Sequence, residues 1–121
     1  MTTRTDKKDE MRMRLLRLLE NDPSLSTRQL AVAVGASHGA TYYCLKALIE
    51  KGFIKAQNFA NSENKAGYAY VLSAKGIREK ADLTRRFVEI KRAEYAALRD
   101  EIEAMEHELA TGEMAGPARG K

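Results

Sequence analysis

The chain has 121 residues, of which 44% are hydrophobic and 31% charged, with a formal net charge of +4. That supports one compact domain with an appendage and argues against wholesale disorder. No apolar run approaches the ~18 residues of a membrane span, residues 1–10 lack an apolar signal core, and the single cysteine, Cys44, excludes an internal disulfide framework; a cytoplasmic protein is expected. Charge is unevenly spread: residues 1–92 carry 18 basic against 10 acidic side chains, and residues 93–121 carry 3 against 7. A basic body with an acidic arm suits a nucleic-acid binder, and equally a solvated surface.

In chain order, residues 1–8 read as a flexible basic arm. Residues 9–21 form an amphipathic helix with Met11, Leu15, Leu16, Leu18 and Leu19 on its apolar side, stopped by Asp22-Pro23. Ser24-Leu25 is a short link with room for one bridge of a third strand. Ser26-Thr27-Arg28-Gln29 spells a capping box for a second helix over 27–34, ended by Gly35. Ser37 caps a third helix over 38–51, whose inward side is Thr41, Cys44, Leu45, Leu48 and Ile49 and which ends at Gly52. Two β-rich runs, 53–59 and 68–72, flank a polar turn and make a hairpin wing. The expected fold is mainly α: a winged helix-turn-helix over 9–73, then a long helix.

That helix runs from Ala74, after a Ser73 cap, to about Ala110, and would extend about 55 Å. Ile77, Ala81, Thr84, Val88, Lys91, Tyr95, Leu98, Ile102, Met105 and Leu109 alternate four and three apart, a heptad seam. Leu83, Phe87 and Ile90 form a second stripe, read as packing on the winged domain. The distal seam needs a second chain, so Val88, Tyr95, Leu98, Ile102, Met105 and Leu109 are the expected homodimer contacts. Flanking charges mildly favour a parallel pair, with Glu94 facing Arg99 of its mate, although Glu101 then meets Glu106. Residues 111–121 carry three glycines and a proline and are expected to be a disordered tail.

Enzyme chemistry finds little support. His38 and His107 lie in different segments, no Cys/His cluster has metal-ligand spacing, and no phosphate loop or nucleophile elbow is present, so no catalytic residue, metal or cofactor is expected. Cys44 faces inward and reads as core, with redox sensing as the alternative. A helix-turn-helix instead places its second helix in the DNA major groove. Its outward positions here are Ser37, His38, Gly39, Ala40, Tyr42, Tyr43 and Lys46. His38 and Tyr42 are the candidates for base edges, and Tyr43 and Lys46 for the backbone, with half-buried packing the other reading of both tyrosines. Ser37 and the helix amides can hold a phosphate. Gly39, unfavourable within a helix, points to close backbone approach by either DNA or the second helix. Arg28 and Lys65 are further phosphate candidates, then Arg12 and Arg14. Two rival readings remain: a protein-interaction module on the same scaffold, and a structured-RNA binder.

The runs Leu15-Leu16-Arg17-Leu18-Leu19-Glu20, Ser26 to Ala31, Tyr43 to Gly52 and Asn58 to Lys65 resemble the small MarR-type winged-helix regulators associated with exopolysaccharide gene clusters. The resemblance implies a dimeric transcription factor that reads DNA with the third helix and touches the flanking minor groove with a wing tip at Asn64 and Lys65. The chain departs from that group at Ala40 and Tyr42, where a longer polar residue is usual, which leaves the operator sequence open. No small-molecule ligand is carried over.

Overall fold

A computed structural model describes residues 4–58 and 68–115. Six elements follow one another: α1 (Arg4–Asn21), α2 (Thr27–Val34), α3 (His38–Glu50), β1 (Ile54–Asn58), β2 (Tyr68–Leu72) and α4 (Ala74–Ala115). The mainly helical fold with a two-stranded wing and a long C-terminal helix is the one expected. The chain divides into two units, residues 1–85 and 86–121, with the boundary inside α4.

The first unit is built on a leucine core. Leu15, Leu16 and Leu19 of α1, Leu30 of α2, and Leu45 and Leu48 of α3 are all buried, with Ile54 of β1 and Ala69 of β2 beside them. Losing one such leucine side chain typically costs about 2–5 kcal/mol. Along α1 the inward set includes Met13, whereas Met11 and Leu18 are half-buried. On α3, Thr41 is fully buried and its hydroxyl donates to Ser37 O at 2.8 Å, so its polarity is satisfied locally. Ile49 was expected inward but is 39% exposed, and Cys44 is half-buried.

The turn of the helix-turn-helix is set by caps. Ser26 accepts the Gln29 N–H at 3.1 Å while Gln29 Oε1 accepts the Ser26 N–H at 2.9 Å, the reciprocal bonds of the expected capping box. Gly35 takes φ 70°, and the N–H groups of Ala36 and Gly35 turn back to Ala31 O and Val32 O. Gly52 repeats the device at φ 80° after α3: Phe53 N–H donates to Leu48 O at 2.9 Å and Gly52 N–H to Ile49 O at 3.0 Å. Phe53 therefore belongs to the cap of α3 and not to the strand, and the hairpin opens at Ile54. Its register pairs Ile54 with Leu72 and Asn58 with Tyr68.

Three expected boundaries shift. The arm over 1–8 is helical from Arg4, because its residues tolerate helix and Asp6 lies in the first turn, where a negative charge complements the dipole. The tail expected over 111–121 is helical through Ala115; Thr111 donates its hydroxyl to His107 O at 3.0 Å, and a single Gly112 costs only about 1 kcal/mol in a helix. The third-strand bridge expected at Ser24-Leu25 is replaced by one bond, from Tyr70 N–H to Pro23 O at 3.0 Å, and the sheet among the described residues has two strands. Asp22 explains this: it accepts both the N–H and the hydroxyl of Ser24, at 3.0 and 2.6 Å, folding the link into a turn. The same bonds hold the Asp22 carboxyl below its ordinary pKa.

The start of α4 is locked to the end of α3. Ser73 donates its N–H to Phe53 O at 3.0 Å and its hydroxyl to Gly52 O at 2.6 Å, and accepts the Gly76 N–H at 3.0 Å. A Cβ on Gly76 would lie 2.0 Å from the Phe53 carbonyl oxygen, so nothing larger than glycine fits without moving backbone. Lys75 adds a bond to Lys51 O at 2.9 Å and lies over the Phe53 ring at 5.2 Å. Arg12 pairs with Glu79 at 2.9 Å, and Lys80 pairs with Glu20.

In the second unit α4 continues to Ala115. Phe87 is buried and Ile90 half-buried; Leu83, which belongs to the first unit, is buried as well. The whole distal seam is exposed: Val88 44%, Tyr95 68%, Leu98 54%, Ile102 43%, Met105 49% and Leu109 66%.

Candidate nucleic-acid interface

The candidate face is the outward side of α3, whose inward side is consumed by Thr41, Leu45 and Leu48. Helical geometry then sends the intervening positions outward. Ser37, His38, Gly39, Ala40, Tyr42, Tyr43 and Lys46 are all exposed, Tyr42 by 54% and Tyr43 by 75%. Those values exclude half-buried packing for Tyr43 and leave more than half of Tyr42 open. The structure thus brings seven of the ten expected interface residues onto one helix. Arg28 is exposed on the first turn of α2. Asn64 and Lys65, expected at the wing tip, lie outside the described residues.

The first turn of α3 offers donors. Ser37 accepts the Ala40 N–H at 3.0 Å and its carbonyl accepts the Thr41 N–H at 3.0 Å, leaving the His38 and Gly39 N–H groups without acceptors among the described residues. A Cβ on Gly39 would meet nothing within 4 Å. That excludes close approach to α2, one of the two explanations for a glycine in this helix. Arg28 and Lys46 make no ion pair among the described residues, so both cations are available.

Arg12 and Arg14 do other work. Arg12 is held by Glu79 and lies 5.9 Å from the Phe53 ring centroid. Arg14 donates to Val34 O at 3.4 Å and Ala33 O at 3.3 Å, tying α1 to the last turn of α2 just ahead of the tight turn. Nothing in the spacing of the sequence distinguishes these arginines from free surface cations; their partners lie 19 to 67 residues away.

Cys44 lies at a groove of about 300 Å³ between α1 and α3, flanked by Met11, Arg12 and Tyr43. Burial pushes its thiol pKa up, and the nearby Arg12 charge opposes this to a lesser degree. A thiol so placed is neutral and slow to react. Among the described residues no group of three His, Cys, Asp or Glu side chains could hold a metal ion, and no helix is long and apolar enough to cross a membrane.

Residues 8–55 match the family model described as winged helix-turn-helix DNA-binding. The chain carries a winged helix-turn-helix. The same fold recurs in the PcaV transcriptional regulator of Streptomyces coelicolor, at TM-score 0.62 and 19% identity over 92% of this chain and 79% of that one. A MarR transcriptional regulator of Methanosarcina mazei gives TM-score 0.59 and 17% identity over 90% and 85%. An S. aureus MepR mutant bound to an oligodeoxyribonucleotide gives 0.55 and 20% over 86% and 74%. At these identities the likeness establishes the fold. No curated protein matches the chain in sequence.

Proposed function

We propose that the chain is a transcription regulator that binds specific duplex DNA as a homodimer, with α3 in the major groove and the wing, through Asn64 and Lys65, at the flanking minor groove. The observation that carries this reading is the outward face of α3: a capped helix N-terminus, two exposed rings and Lys46, which has no ion-pair partner among the described residues. The winged helix-turn-helix match over residues 8–55 supports it, as does a nucleic acid bound to an S. aureus protein of the same fold. The resemblance of the Tyr43–Gly52 and Asn58–Lys65 runs extends the proposal to exopolysaccharide genes.

The homodimer rests on the seam of α4. Six apolar side chains, from Val88 to Leu109, are 43 to 68% exposed, and a stripe of period 3.5 is covered most simply by an identical stripe. A two-fold dimer presents two copies of α3, so the operator is an inverted repeat with half-sites about one helical turn, or a multiple, apart. Titration of labelled duplex DNA at several salt concentrations tests the reading. Binding should weaken steeply with salt through counterion release, and Lys46→Ala should make the slope shallower by about one. A chain ended after Lys91 should remain folded, sediment as a monomer and bind the operator far more weakly. Absence of duplex-DNA binding at low salt would overturn the DNA reading, and preference for duplex RNA would replace it. A full-length monomer at tens of micromolar would overturn the dimer.

A further inference from the structure

The exposed surface of the first two turns of α3 is unusual for a reading helix. It consists of His38, the bare backbone of Gly39, the methyl group of Ala40, and the rings of Tyr42 and Tyr43. The first cation on the helix is Lys46, in the third turn. Base pairs are told apart in the major groove chiefly by two-pronged hydrogen bonds, Arg or Lys to guanine and Asn or Gln to adenine. No side chain in these two turns can make one: an imidazole or a phenol offers a single bond at a time toward a base edge. What the turns do offer is apolar surface, and a major-groove edge carries one apolar group that distinguishes a base pair, the 5-methyl of thymine.

Resting on the DNA-binding reading, we propose that α3 recognises its operator through thymine 5-methyl groups packed against the rings of Tyr42 and Tyr43, with Gly39 giving the backbone clearance for that approach. Three independent observations converge on it. Tyr42 and Tyr43 are exposed by 54% and 75%, apolar surface that the fold leaves uncovered. A Cβ on Gly39 would meet nothing within 4 Å, so packing among the described residues does not require a glycine there. The cations lie outside these two turns, at Lys46 and Arg28, where they suit phosphates and not base edges. The arrangement separates the work: methyl contacts specify sequence, and flanking charges hold the duplex.

The test uses the full-length protein and a duplex selected from a random pool. Each thymine of the selected site is replaced in turn by uracil, which removes the 5-methyl group and leaves the hydrogen-bonding edge intact. The wild-type protein should lose about four-fold in affinity at each contacted methyl, the change that corresponds to about 0.8 kcal/mol for one buried carbon. Tyr43→Ala should become indifferent to uracil at one such position and Tyr42→Ala at another; both side chains are exposed, so both variants should keep the wild-type melting temperature. The proposal is overturned if wild type binds the fully uracil-substituted site as tightly as the thymine site. It is overturned equally if both variants keep the full methyl dependence. Either result, with strong duplex binding retained, leaves the DNA-binding reading standing, whereas failure to bind any duplex at low salt overturns both.

Discussion

Two helices of this chain begin almost alike. α3 opens Ser37-His38-Gly39-Ala40 and α4 opens Ser73-Ala74-Lys75-Gly76, each with a serine whose hydroxyl accepts an N–H three residues on, at 3.0 Å in both. Their glycines have opposite reasons. Gly76 lies against the Phe53 carbonyl, where a Cβ would come within 2.0 Å of oxygen, and Ser73 bonds the same corner through its hydroxyl and its N–H. Gly39 faces open space. One start is a joint that locks the wing and α4 to the end of α3. The other is a helix end whose low relief no contact among the described residues exploits. A glycine that weakens a helix by about 1 kcal/mol without easing any contact among the described residues fits the proposed approach of a duplex.

The largest effect expected from this contrast is at the joint. Gly76→Ala should destabilise the protein by about 1–3 kcal/mol or more despite alanine's better helix propensity, because backbone must shift. A melting temperature equal to wild type would show that the corner relaxes freely. Next come the two caps. Ser73→Ala removes a helix cap and a bond to Gly52 O, and should cost up to about 2 kcal/mol, whereas Ser37→Ala removes a cap alone and should cost about 1. Equal losses in urea unfolding would erase the distinction between joint and free end. The smallest effect concerns the inner flank of α3. The Cys44 thiol is raised by burial, so folding favours its neutral form; that contribution is full below the unfolded thiol's pKa and is lost as pH rises through the folded one. Alkylation at neutral pH should be slower in the folded than in the denatured protein, and equal rates would place the thiol in solvent.

Much of this was readable from the sequence because it depends on local chemistry. The Ser26–Gln29 box, the Ser37 cap, and Gly35 and Gly52 as helix ends act over three to five residues, and each stands where the pattern put it. The outward set on α3 followed from the 3.6-residue period alone. What was missed depends on distant partners. Phe53 looked like a strand residue but serves as the cap of α3, since its N–H finds Leu48 O. Gly76 carries no signal in the sequence, because a glycine one turn into a long helix has no evident reason until the Phe53 carbonyl is placed against it. Arg12 and Arg14 looked like free cations until Glu79 and the α2 carbonyls were in position. For Gly39 the sequence left two explanations, and the absence of any neighbour within 4 Å excluded one.

The most direct measurement pairs stability with affinity in a single variant, Gly39→Ala. Alanine meets no obstruction and suits a helix better, so the variant should unfold at higher urea concentration, by up to about 1 kcal/mol. If the first turn of α3 is shaped for close approach to DNA, the same variant should bind the selected duplex several-fold more weakly. A protein that is both more stable and equally tight in binding would contradict the account.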